Sequence, residues 1–104
     1  MSPARLTPRA LTELQEATRW IAKDSSGAAR ALRAGVAKVA EHIATFPKSG
    51  AERPDLAPAP YRFIGVPGFS YVLVYNAERR PPLIVRVVHG ARNLGEVLRP
   101  FSGS

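Results

Sequence analysis

The chain has no cysteine, which excludes a disulfide scaffold and a thiolate metal site and is typical of a protein in a reducing cytoplasm. It has no hydrophobic run long enough to span a membrane, and no basic segment followed by the apolar core of a secretory signal. A glycine-rich phosphate loop and a nucleophile elbow are also missing. Its two histidines, His42 and His89, are far apart in sequence. These absences predict no cofactor, no metal and no membrane association.

Acidic residues are scarce relative to basic ones. The 104 residues include fifteen Lys and Arg but only eight Asp and Glu, which gives a formal net charge of +7. Such an excess attracts anionic partners: nucleic acid, a machine bound to nucleic acid, or an acidic protein. The charge alone does not choose among them. The length predicts a single domain over residues 1–104.

The first half of the chain has the pattern of a helical hairpin over residues 7–46. Thr7 and Pro8 form a helix start, since Thr caps orphan amides and Pro suits the first helical position. We expect this helix to end near Lys23 and a second helix to cover residues 27–46. The short lead-in before Thr7 is a candidate edge strand. Apolar residues recur at helical spacing in both helices, and Pro47 ends the second.

The second half changes to strand periodicity. Residues 61–64, 69–76 and 83–90 are rich in β-formers and are joined by short links, which predicts an antiparallel meander over 61–90. The fold class is therefore α+β, with the helical hairpin packed on one face of a small antiparallel sheet. A C-terminal tail, residues 91–104, follows. Leu94, Val97 and Leu98 predict a brief helix or turn that lies over the sheet.

Arg86 stands inside the β-branched run of the last strand. Arginine is seldom buried without a partner, so Arg86 lies on an exposed sheet face or has a dedicated partner. Strict alternation places Arg86 on the same face as Ile84 and Val88. Both faces are largely apolar. We expect one to bury the helices and the other to form a concave surface that a partner covers.

Few residues offer chemistry. His89, at a strand end beside a glycine turn, suits a general base or a hydrogen-bonding role, whereas His42 lies on a helix and suits a structural or solvated role. Arg62, Arg86 and Arg92 fall on or beside the sheet. The pair Arg79-Arg80 lies at a hairpin tip, a position that is most often simply solvated.

Seven segments in this order resemble the RelE/ParE superfamily of bacterial type II toxin–antitoxin toxins, most closely its ParE-like, plasmid-stabilisation branch. The similar segments are residues 6–10, 20–22, 46–50, 53–56, 61–62, 71–75 and 84–94. The resemblance implies a growth-arresting toxin that an antitoxin encoded beside it neutralises. ParE-like members inhibit DNA gyrase without hydrolysis of their own, whereas RelE-like members cleave messenger RNA on the ribosome.

Departures from the nuclease pattern favour the gyrase inhibitor. Val72 stands where RelE-like nucleases tend to have arginine, and Leu98 where they often have tyrosine, although Arg92 matches a basic position. The alternative function is a ribosome-dependent mRNA endonuclease. In that alternative the catalytic residues would be His89, Arg92 and Arg62; in the favoured one there are none.

The resemblance also implies two binding surfaces. The expected partner is a ribbon-helix-helix, ParD-like antitoxin in a hetero-oligomer, and DNA gyrase is the expected target. The residues expected to bind the target are Arg86, His89, Arg92, Arg79 and Arg80. The residues expected to bind the antitoxin are Trp20, Leu32, Arg62 and Arg86. Removal of residues 92–104 is expected to abolish toxicity but to spare antitoxin binding, and removal of residues 100–104 to be nearly silent.

Overall fold

The computed structural model describes residues 2–103, which form two long helices, a four-stranded sheet and one short helix. The α+β fold class and the order of the elements agree with the sequence analysis. Within residues 2–103, no helix has the length and apolar character that crossing a bilayer requires. The elements are β1 (Arg5–Leu6), α1 (Pro8–Ala22), α2 (Ser26–Thr45), β2 (Tyr61–Gly65), β3 (Tyr71–Asn76), β4 (Leu83–His89) and α3 (Leu94–Val97).

Side-chain caps define where the two long helices begin. The Thr7 hydroxyl accepts a hydrogen bond from the amide of Ala10 at 3.2 Å, and Pro8 occupies the first turn of α1. Ser25 caps α2 in the same way, accepting from the amide of Ala28 at 3.0 Å. The predicted helix start at Thr7 is therefore confirmed. The predicted start of the second helix was one residue late.

The sheet has the strand order β1-β4-β3-β2 and is mixed. The predicted meander is present, since β2, β3 and β4 pair antiparallel. The lead-in strand β1 adds to the outer edge of β4 in parallel, with Arg5 opposite Leu83 and Leu6 opposite Ile84. The sheet is thus not wholly antiparallel, because the helical hairpin carries the chain from β1 at one edge of the sheet to β2 at the other edge, and these two strands run in the same direction.

A β-bulge in β4 changes which side chains share a face. Tyr75 pairs with Ile84, but its neighbour Val74 pairs with Arg86, so Val85 has no partner on β3. Ile84 and Val87 consequently belong to the core cluster beneath the helices. The prediction that strict alternation holds along β4 is wrong, because the extra residue resets the alternation.

The sheet face opposite the helices is covered by the chain itself. A second core forms there around Phe63, Val74, Val88 and Leu98. The segments that cover it are the connection between α2 and β2 and the C-terminal tail, where the predicted brief helix is confirmed as α3. The expected partner-covered concave face is therefore corrected. Residues of these two segments that pack on the second core are Leu56, Ala57, Leu94, Val97 and Phe101.

The connection between α2 and β2 is fixed to β3 by one buried hydroxyl. Tyr75, which is fully buried, donates to the carbonyl of Pro47 at 2.6 Å and accepts from the amide of Gly50 at 2.9 Å. A Cβ on Gly50 would lie 2.7 Å from that hydroxyl. Glycine is required here because the backbone must approach the tyrosine closely.

Candidate functional site

Arg86 has its dedicated partner inside the chain. Arg86 is 4% exposed, and its guanidinium forms a bidentate ion pair with Glu13 of α1. The Nε–Oε1 distance is 3.0 Å and the Nη2–Oε2 distance is 2.8 Å. Nη1 also approaches the carbonyl of Val97 in α3 at 3.4 Å. The expectation that Arg86 contacts a target or an antitoxin is corrected, because its donors are engaged in joining α1, β4 and α3.

Glu13 also closes the open edge of β4. Because β1 pairs only with the first two residues of β4, the edge beyond Ile84 has no neighbouring strand among residues 2–103. Thr7 donates its hydroxyl to the carbonyl of Val85 at 3.3 Å, and Glu13 accepts the amide of Val87 at 2.9 Å. The cap and the first half of α1 therefore satisfy backbone groups that could otherwise pair with another strand.

The two residues expected as antitoxin anchors on the helices differ completely in exposure. Leu32 is fully buried between the helices and the sheet, so its expected role as a surface anchor is corrected. Trp20, in contrast, is 68% exposed near the end of α1. The Lys23 ammonium lies 4.9 Å from the centre of its ring, a cation–π contact that leaves the indole available to solvent.

Trp20 stands on the wall of a cleft between α1 and the end of β4. This cleft, the Trp20 groove, has a volume of about 650 Å³. The structure thus brings together one residue expected to bind the antitoxin and two expected to bind the target. The residues that define the groove are Glu16, Trp20, Tyr71, His89, Arg92 and Val97.

His89 is oriented by its neighbours rather than poised as a base. Its ring meets Tyr71 edge-on at 5.1 Å between centroids, and its Nδ1 accepts the amide of Ala91 at 3.2 Å. When Nδ1 accepts, the hydrogen of a neutral imidazole is on Nε2, which then donates. The ring therefore offers a partner a hydrogen-bond donor and an aromatic face.

Arg62 does not join His89 and Arg92. It lies on β2, which is one edge strand of the sheet, whereas β4 lies near the other edge, beside β1. Its guanidinium donates to the carbonyl of Gly50 at 2.9 Å and to the carboxylate of Glu52 at 2.9 Å. The three residues proposed for a nuclease site are therefore not brought together, because Arg62 fastens the connection to β2.

The connection also carries an exposed ion pair, Arg53 with Asp55, at 3.0 Å. The hydrogen bond from Arg53 lowers the pKa of Asp55, and the same bond raises the pKa of Arg53. Both side chains lie outside the Trp20 groove. This pair organises a turn at the surface.

Arg79 and Arg80 lie at the other end of the sheet from His89. The hairpin they occupy precedes β4 and His89 ends it, which separates them by about 20 Å at the rise of a strand. Arg80 donates to the carbonyls of Ala77 and Arg79 at 2.7 and 3.0 Å. The five residues expected to bind the target therefore do not form one surface.

Arg80 borders a second cleft, which sequence reasoning missed. This cleft, the Phe46 groove, has a volume of about 1340 Å³ and lies between the end of α2, the connection and the β3–β4 hairpin. The sequence predicts residue 46 as the last of the second helix, but α2 ends at Thr45 and the ring of Phe46 is 58% exposed. The residues that define the groove are Phe46, Lys48, Pro60, Arg62, Glu78 and Arg80.

In the described part of the chain, no cluster of side chains could hold a metal ion.

Comparisons with known proteins agree with this arrangement. The family described as "ParE toxin of type II toxin-antitoxin system, parDE" matches residues 4–94. The solved structure "Chromosomal ParDE TA system from P. aeruginosa" has a TM-score of 0.66 and 14% identity, over 86% of this chain and 96% of that one. At that identity the likeness concerns the fold alone. No curated protein matches the chain.

The helical hairpin on a small sheet is thus a toxin fold of type II toxin–antitoxin systems. The family match covers most of the chain, including α1, α2 and the whole sheet. The chain belongs to the ParE toxin family. Its partner is accordingly an antitoxin.

Proposed function

We propose that this chain inhibits DNA gyrase in the bacterial cytoplasm, arrests growth and supports plasmid stabilisation, and is neutralised by a ParD-like ribbon-helix-helix antitoxin in a hetero-oligomer. One observation carries the proposal: Trp20, His89 and Arg92 line one groove. An exposed indole beside a cation and an imidazole donor is suited to protein recognition, since aromatic residues and arginine dominate binding hot spots.

The shared groove supplies a simple mechanism of neutralisation. An antitoxin segment that packs an apolar side chain on Trp20 would lie within the same 650 Å³ cleft as His89 and Arg92. It would exclude the target by occupying the surface that the target needs. No catalytic step is then required of either partner, and the toxin acts by binding alone.

The mRNA endonuclease has less support. Its candidate base, His89, uses Nδ1 to accept an amide hydrogen, and its candidate cation Arg62 lies at another groove. Leu98, at the position where nuclease members often have tyrosine, is 1% exposed and belongs to the second core. General acid–base catalysis needs groups within hydrogen-bond reach of one substrate, and these residues do not converge.

Reversing the charge of Arg92 tests the proposed target surface. The Arg92→Glu variant is expected to need about tenfold or more protein for half-inhibition of supercoiling by purified gyrase, because arginine is enriched among binding hot spots, whose truncation costs about 2 kcal/mol or more. Arg30→Glu is the matched control, since Arg30 is exposed on α2 outside both grooves. Equal losses in the two variants would mean that only net charge matters, and would contradict the assignment of the groove.

A further inference from the structure

The Phe46 groove has an apolar centre that the fold leaves open. Phe46 follows directly after α2, where its amide still donates to the carbonyl of His42 at 2.8 Å. Its ring touches His42, with centroids 5.3 Å apart, and remains 58% exposed. A single exposed aromatic residue is ordinary on a protein surface. This one differs because it lines a cleft together with prolines and several cations.

The groove is lined by three cations, Lys48, Arg62 and Arg80, and by two carboxylates, Glu52 and Glu78. Arg62 is balanced by Glu52, at 2.9 Å. Lys48 and Arg80 have no carboxylate within ion-pair distance among residues 2–103, where the ion pairs involve only Arg53, Arg62 and Arg86. The bonds from Arg80 go to backbone carbonyls, which fix the guanidinium without neutralising its charge. With three cations against two carboxylates, the groove has a small net positive charge beside an apolar ring, and its cations outside an ion pair are Lys48 and Arg80.

The walls of the groove are preorganised by hydrogen bonds within the chain. Tyr75 ties Pro47 and Gly50 to the sheet, and Arg62 ties the same loop to β2 through the carbonyls of Lys48 and Gly50. On the opposite wall, Arg80 is bonded within its own hairpin. A partner that enters such a groove loses little free energy to ordering the toxin.

We propose that the Phe46 groove docks an acidic segment of the antitoxin that carries an aromatic or large aliphatic side chain, as a second contact separate from the Trp20 groove. The side chain packs on Phe46 and the carboxylates face Lys48 and Arg80. This inference rests on family membership, which makes an antitoxin the partner, and not on gyrase as the target. Charge complementarity favours an acidic segment, since Lys48 and Arg80 have no ion-pair partner in the described chain and the whole sequence has a net charge of +7.

The groove is large enough for a peptide segment. At about 1340 Å³ it exceeds the usual range for small-ligand pockets, roughly 300–1,000 Å³, and accommodates several residues of extended chain.

The two grooves lie at opposite ends of the helical hairpin. Trp20 is near the end of α1, and Phe46 follows α2, which at 20 residues is about 30 Å long. One antitoxin chain that reaches both grooves binds the second intramolecularly, so the complex dissociates only when both contacts open.

The first experiment measures dissociation of the complex made with the antitoxin encoded beside this chain. Phe46→Ala is expected to speed dissociation about tenfold or more, because truncating an aromatic anchor at a binding surface has effects of that size. Leu11→Ala is the matched control: Leu11 is 47% exposed and borders neither groove, so its rate should stay within about twofold of the parent. Unchanged dissociation of the Phe46→Ala complex would overturn the inference.

A charge pair tests the electrostatic part. Lys48→Glu is expected to weaken binding and to flatten its dependence on salt, whereas Lys38→Glu, on the exposed side of α2 outside both grooves, should change binding about threefold or less. Equal effects of the two reversals would show that net charge, rather than the groove, attracts the antitoxin, and would contradict the proposal.

Cross-linking identifies the occupant. With p-benzoylphenylalanine in place of Phe46, the product should map to an acidic stretch of the antitoxin. A cross-link to a second copy of this chain, or to an antitoxin segment without carboxylates, would overturn the inference.

If Trp20→Ala weakens the complex and Phe46→Ala does not, the second groove does not bind the antitoxin, but binding of the antitoxin to this chain still stands. If the parent chain does not bind the antitoxin at all, the proposed function fails as well.

Discussion

Replacing Glu13 by alanine is expected to lower the free energy of unfolding by about 3–5 kcal/mol, the range for removing one partner of a buried ion pair. The side chain of Arg86 is 5% exposed, so its charge would remain in the interior without its carboxylate. The amide of Val87 would lose its acceptor in the same substitution. Chemical denaturation of the purified variant and parent measures the difference.

Two further variants distinguish the loss of the ion pair from a general effect of substitutions in α1 on the free energy of unfolding. Glu16→Ala removes an exposed carboxylate from the same helix and should change the free energy of unfolding by about 0.5 kcal/mol or less. Glu13→Leu combined with Arg86→Met should recover much of the loss, because no charge is then buried. A loss below about 1 kcal/mol for Glu13→Ala would show that the pair is solvated and does not join α1 to β4.

Replacing Leu98 by alanine is expected to lower the free energy of unfolding by about 2–5 kcal/mol, as for other fully buried leucines. Leu98 is 1% exposed and packs in the second core, opposite the helices. Leu11→Ala, which truncates an exposed leucine, should have an effect below about 1 kcal/mol when measured in the same denaturation series. Similar effects at the two positions would contradict the existence of a packed second core.

The second core also changes what truncation should do. Leu98 and Phe101 both pack on this core, and Phe101 meets Tyr61 edge-on at 4.7 Å between centroids. Removal of residues 92–104 would expose that core and should abolish antitoxin binding together with toxicity. This packing argues against the expectation that the longer truncation spares antitoxin binding, and we also expect removal of residues 100–104 to be destabilising, because it deletes Phe101.

The helices and strands were accessible from sequence because their signals are local. The caps of both helices lie within three residues of the amides they satisfy, as with Thr7 and Ala10. The change from helical to strand periodicity located the meander to within about two residues at each end. Such patterns reflect side-chain directions within one element, and they do not depend on the rest of the fold.

The site was less accessible because its contacts are long-range. Glu13 and Arg86 are 73 residues apart, and nothing in the spacing of either predicts the pair. The bulge at Val85 has no local sequence signal either, and it changed the facing of β4. Leu32 was expected to bind the antitoxin because helical spacing identifies an apolar stripe without indicating which element packs on it.

The residues expected to bind the target belong to two separate surfaces, and the sequence did not indicate this division. His89 and Arg92 lie at one end of β4, whereas Arg79 and Arg80 lie at the other, beside the Phe46 groove. Each residue was identified by its type, but strand direction and hairpin geometry decide which of them can touch one partner.

The most direct test of the central claim compares two reactions with the purified chain. One adds it to gyrase and plasmid DNA and measures covalently trapped, cleaved DNA. The other adds it to ribosomes that are translating a defined message and maps the ends of the RNA. We predict trapped cleaved DNA that disappears when the antitoxin is added first, and intact message. Codon-dependent cleavage of the message with no effect on gyrase would contradict the account.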